Sequence, residues 1–131
     1  RRRVRPVVVV VVVMVLKAVF FDLDDTLVAT SEHDVRAFAA VTALAAERSS
    51  AGGGAAAVVV DQGQLLADFT AEFKRVPWDP DYKVEVTQWR AGLWALALQK
   101  QGVADADALG AELQALFDSN RMGEFPFMAP V

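Results

Sequence analysis

Along most of the chain apolar positions recur every three or four residues. That period predicts amphipathic helices. A first helix is expected from Ser31 to about Arg48, with Val35, Phe38, Thr42 and Ala45 on one stripe and Val41 and Leu44 beside it. Ser31 and Asp34 form a capping-box pattern at its start, the acid being one methylene shorter than the usual Glu. A second helix is expected over residues 62–76, from Leu65, Leu66, Phe69, Phe73 and Val76. Pro77 and Pro80 end it, since neither can continue a helix. A third covers residues 84–100, with Val86, Trp89, Leu93, Trp94 and Ala97 as its apolar face and Gly102 placed for a C-terminal cap. A fourth covers residues 105–120 and carries Leu109, Leu113, Leu116 and Phe117. Residues 49–57, "SSAGGGAAA", read as a flexible connector. The closing "GEFPFMAPV" reads as extended and punctuated by proline.

The pattern changes near the start. Residues 15–22, "VLKAVFFD", are continuously apolar, β-branched and aromatic, with one lysine. A continuous run suits a strand covered on both faces. The expected fold is therefore mostly α: one core strand plus a four-helix bundle. One strand cannot make a sheet, so either the valine run before it supplies a partner or its neighbours lie elsewhere. The opening "RRRVRPVVVVVVVMVLKAVFF" resembles a signal peptide in outline. As a membrane span it is too short, because Lys17 interrupts it and spanning needs about 20 apolar residues. As a secretory signal it lacks a small-residue cleavage site before the acidic residues that follow. Residues 1–13 are read as a low-complexity extension, with Met14 a plausible start.

Composition narrows the function classes. The 131 residues fit one domain with a packed core, at 54% hydrophobic and 23% charged. Four arginines lie in the first five residues. From Met14 onward nine basic residues face seventeen acidic ones, a net charge of −8. An acidic body argues against nucleic-acid binding, which needs a basic face. There is no cysteine, which excludes disulfides and thiolate chemistry and fits a reducing, cytoplasmic setting. One histidine, His33, leaves no multi-His metal site.

The chemistry concentrates in "VFFDLDDTL", residues 19–27. Burying carboxylates at the end of an apolar run is costly unless they hold something. Asp22 at a strand end can bind a hard cation such as Mg²⁺ through oxygen, and it is also a nucleophile towards phosphorus. Asp24 can protonate a leaving oxygen and then deprotonate an attacking water. Thr26 can fix the loop by bonding backbone. Acid clusters also occur on ordinary turns, which is the competing structural reading.

This stretch resembles the first motif of the haloacid dehalogenase-like (HAD) phosphohydrolases, an apolar strand ending in Asp-x-Asp-x-Thr-Leu. The resemblance implies Asp22 as nucleophile and Asp24 as general acid/base. Mg²⁺ would be held by the Asp22 side chain and the Asp24 backbone carbonyl, with Thr26 at the substrate. It implies an α/β core of the Rossmann-like kind in the full family, a helical cap over residues 31–120, and a linker over residues 121–131. Residues 14–30 would then be the first strand and catalytic loop. The third helix, "VTQWRAGLWALALQKQG", is similar to the cap of N-acylneuraminate-9-phosphatase-like members. By that likeness Arg90 would face a substrate phosphate or sugar; read by itself it is equally a solvated helix charge. The helix tryptophans are expected in the core rather than on ligand. His33 is expected at an exposed helix start, the alternative being the cleft wall.

The family's later motifs are a Ser or Thr that holds phosphate, a Lys or Arg, and a late acidic pair. No later strand follows residue 120 here to carry them. The expectation is a truncated Mg²⁺-dependent phosphomonoesterase acting through an aspartyl-phosphate on a small phosphorylated metabolite such as a sugar phosphate, with little or no turnover by these 131 residues alone. The alternative is a non-catalytic helical binding module that keeps a relic of the motif. Membrane association through the basic-valine start is a weaker third reading.

Overall fold

The computed structural model describes residues 18–20, 30–51, 57–79, 81 and 83–122. Four helices account for most of them: α1 (Thr30–Ala51), α2 (Gln62–Arg75), α3 (Val86–Lys100) and α4 (Ala106–Arg121). They pack as a closed ring in which α1 meets α2, α2 meets α3, α3 meets α4 and α4 meets α1. Sequential neighbours run antiparallel, as the links between them require. Asp61 before α2 meets Gln101 after α3, and Asp34 early in α1 meets Arg121 at the end of α4.

The helix boundaries follow from local chemistry. Asp61 caps α2, its side chain accepting from the Gln64 N–H at 2.8 Å. The Gln101 side chain closes a reciprocal pair with the Asp61 backbone, accepting from its N–H at 2.8 Å and donating to its carbonyl at 3.1 Å. Gly102, at φ +83°, ends α3. There the Gly102 N–H bonds the Gln99 carbonyl and the Val103 N–H bonds the Leu98 carbonyl, which satisfies two of the last orphan acceptors. The loop from α2 to α3 is pinned by Trp78 Nε1 donating to the Val84 carbonyl at 2.9 Å.

The core is one cluster to which every helix contributes: Ala37, Val41 and Ala45 from α1, Leu65 and Phe69 from α2, Leu93, Trp94 and Leu98 from α3, and Leu109, Leu113 and Phe117 from α4. Phe38 of α1 meets an aromatic from each of the other three helices. The Phe69 and Trp94 rings stack with centroids 3.8 Å apart, and Phe38 lies 6.0 Å from Phe69, 6.2 Å from Trp94 and 4.9 Å from Phe117. Such pairs add about 0.5–1.5 kcal/mol each beyond the area they bury.

Three expectations need correction. First, the fold class of one core strand plus a bundle does not hold: the described residues form a four-helix bundle with no strand or sheet. Of the expected strand, Ala18, Val19 and Phe20 are described; they have no regular structure, and Phe20 is 93% exposed. A strand needs a neighbour for its backbone groups, and none exists among the described residues. Second, α1 starts at Thr30, so Ser31 lies inside the helix and the capping-box reading fails. Third, the inward stripe of α1 is His33, Ala37, Val41 and Ala45, which leaves Val35 68% exposed. At 3.6 residues per turn Val35 is about 200° from Ala37. The rest of the expected segments 1–13 and 14–30, and 123–131 of the expected linker, lie outside the described residues.

Candidate functional site

At the end of the bundle where α1 begins and α4 finishes, the helices leave a cavity of about 230 Å³. Each helix lines it. Asp34 and Phe38 come from the first half of α1, Phe69 and Phe73 from the second half of α2, Arg90 from α3, and Gln114, Phe117 and Arg121 from α4. The antiparallel order produces this convergence, bringing the start of α1 and α3 to the same end as the finish of α2 and α4.

Two guanidiniums and one carboxylate line it. Arg121 Nε lies 2.8 Å from Asp34 Oδ1, and both side chains are about one-third exposed. That pair balances itself. Arg90 is half-buried and makes no ion pair or hydrogen bond among the described residues. With the Asp34–Arg121 pair balanced, Arg90 gives the cavity lining a net positive charge. Gln114 is 3% exposed; its Nε2 donates to Asp118 Oδ1 at 2.9 Å, which fixes the amide orientation. Its Oε1 is buried without a hydrogen-bond partner. The lining thus combines a guanidinium without a partner among the described residues, the buried Gln114 side chain and four phenylalanines.

A second charged cluster is already satisfied. Glu72 on α2 is 4% exposed and receives Lys100 Nζ at 2.8 Å on one oxygen, and Arg75 Nε and Nη2 at 2.8 and 2.6 Å on the other. The Lys100 bond, then the Arg75 bonds, hold its carboxyl below the ordinary 4.5. The bond to Glu72 in turn raises Lys100 above 10.5. This cluster joins α2 to α3. A larger cavity of about 340 Å³ at the opposite end has its guanidinium, Arg48, paired with Glu112 at 2.6 Å.

Of the residues expected to carry chemistry, the structure brings Arg90 to the cavity. Asp22, Asp24 and Thr26 lie outside the described residues. No group of three or more His, Cys, Asp or Glu side chains able to hold a metal occurs among the described residues. His33 is buried, at 7% exposure, not at an exposed helix start, because it lies on the inward stripe of α1. Trp94 is fully buried and Trp89 lies 5.2 Å from the Phe73 ring, so the expected core placement holds for Trp94. Asp34, Gln114 and Arg121 were not foreseen as lining residues. Gln114 had a signal, a polar side chain next to Leu113 and one turn before Phe117; the Asp34–Arg121 pair had none.

No family model, no curated protein and no solved structure matches the chain. No helix among the described residues is long and apolar enough to cross a membrane.

Proposed function

We propose that the chain belongs to a Mg²⁺-dependent phosphomonoester hydrolase of the HAD kind, with Asp22 as nucleophile and the helical bundle as the element that selects the substrate. The observation that carries this reading is the pairing of motif and cavity. The Asp22-x-Asp24-x-Thr26-Leu27 stretch runs directly into α1, and the cavity with an unpaired guanidinium lies at the end where α1 starts. The substrate is a small phosphorylated metabolite such as a sugar phosphate, and the setting is cytoplasmic.

In the proposed reaction an Asp22 oxygen attacks phosphorus, the ester bond to the leaving oxygen breaks, and Asp24 gives that oxygen a proton. Asp24 then takes a proton from water, which attacks the aspartyl-phosphate and returns Asp22 as a carboxylate with inorganic phosphate released. Asp22 and the Asp24 carbonyl are hard oxygen donors suited to Mg²⁺, which when bound supplies charge stabilisation to the transferring phosphoryl group.

The test is phosphate transfer itself. Incubation with acetyl phosphate and Mg²⁺, followed by peptide mapping, is expected to find slow stoichiometric phosphate on Asp22, absent in Asp22→Asn. Phosphate on other residues only, or none, contradicts the reading. A non-catalytic binding module is the second reading. It is favoured by one observation: among the described residues, the core cluster lies within residues 37–117.

A further inference from the structure

The cavity lined by Arg90 and Gln114 holds two polar groups, the Arg90 guanidinium and the Gln114 amide oxygen, that meet no partner among the described residues. Arg90 could have been solvated on the helix surface, yet it is half-buried in a pocket lined by Phe38, Phe69, Phe73 and Phe117. Partial desolvation of a guanidinium is unfavourable unless an anion meets it. The one carboxylate in the lining, Asp34, is already paired with Arg121 at 2.8 Å. The second sign is independent of charge: Gln114 is 97% buried, its Nε2 donates to Asp118, and its Oε1 has no donor to accept from among the described residues. Buried acceptors of that kind are normally satisfied.

We infer that this cavity binds a small organic anion with a compact apolar body. Its carboxylate or phosphate meets Arg90, its apolar part lies against the phenyl faces, and a hydroxyl or N–H of the ligand donates to Gln114 Oε1. A cavity of about 230 Å³ admits one ring or a short branched chain. Charge-assisted bonds to a guanidinium are about twice as strong as neutral ones, and a planar fork suits both carboxylate and phosphate. Calling this ligand the substrate rests on the proposed function; the binding itself does not.

The experiment is calorimetric titration of the 131-residue chain without divalent ions, using benzoate, 4-hydroxybenzoate, phenyl phosphate and the neutral benzyl alcohol. One site is expected, with at least one of the anions binding about tenfold or more tighter than benzyl alcohol. Whether a carboxylate or phenyl phosphate binds tighter identifies the anion, and either order supports the site. Arg90→Gln is expected to weaken the anion about tenfold and leave benzyl alcohol unchanged, while Arg90→Lys retains part of the difference. Gln114→Leu is expected to remove any advantage of 4-hydroxybenzoate over benzoate. Anions binding no better than benzyl alcohol overturn the inference, and that comparison needs no variant to fold. Anion affinity that survives Arg90→Gln, or that is lost in Asp22→Asn, also overturns it. Phosphate labelling of Asp22 is measured separately, so failure of either experiment does not imply failure of the other.

Discussion

Gly110 of α4 packs directly against the backbone of α3. A Cβ there would sit 2.6 Å from the Ala91 carbonyl oxygen and 2.9 Å from the Ala95 nitrogen, both backbone atoms that cannot rotate away. Gly110→Ala gains up to about 1 kcal/mol of helix propensity. The overlap forces the helices apart, and a net loss of about 1–3 kcal/mol is expected from the denaturation midpoint. Glu72 acts through charge. Its folded pKa is lowered, so its contribution is present above about pH 4.5 and is lost as pH falls through the lower folded value. Lys100 is raised, so its contribution is present below pH 10.5 and is lost above that as its folded pKa is passed. Glu72→Gln is expected to lower the melting temperature at pH 7, with the difference from the parent shrinking as the medium is acidified. An equal difference at pH 3 and pH 7 contradicts this. At this scale legibility was uneven. Gly102 was readable because a glycine just past a periodic run is a local sign of a helix end. Gly110 was silent, because its reason lies on Ala91 and Ala95 of another helix. Arg90 was singled out by chemistry, while its lack of a counter-charge emerged only with the bundle.

The four helices were legible because amphipathic spacing is a local signal and each buried stripe carries it. Boundaries moved by a few residues at most. α1 extends to Ala51 past the expected end at Arg48, and there Ser50 Oγ donates to the Ala46 and Glu47 carbonyls. The face of α1 was harder to fix. Alanines fill much of it, so Ala37 and Ala45 weigh little against Val35 in a hydrophobic pattern although they sit at the contact. The strand was misread because a continuous apolar run records burial or partner-seeking and carries no information about a neighbouring strand. Two substitutions test the elements. Gly102→Ala keeps the chain in a left-handed conformation that costs a residue with Cβ about 1–2 kcal/mol, and the loss should appear in the midpoint of unfolding. Leu113→Ala empties a fully buried position facing the core and should cost about 2–5 kcal/mol.

At the scale of the whole molecule, the ring of contacts and the four-aromatic centre make the bundle self-contained. Each helix buries its stripe against two neighbours, and among the described residues the core cluster runs from Ala37 to Phe117. The cavity is a consequence of that closure, because four antiparallel helices bring Asp34, Phe73, Arg90 and Arg121 to one end. Its chemistry depended on side chains far apart in sequence, so Arg90 alone could be named from the chain. The acidic motif was the clearest signal in the sequence, and its role is tested by phosphate transfer to Asp22.

The most direct test of the account is unfolding of residues 30–122 alone, followed by far-ultraviolet circular dichroism and tryptophan fluorescence in the same denaturant series. Trp94 sits at the centre of the core against Phe69, so fluorescence reports packing while dichroism reports helix. The account requires a helical spectrum and one cooperative transition with coincident midpoints. Helix signal that fades gradually, or two midpoints that differ, contradicts a bundle that holds itself together.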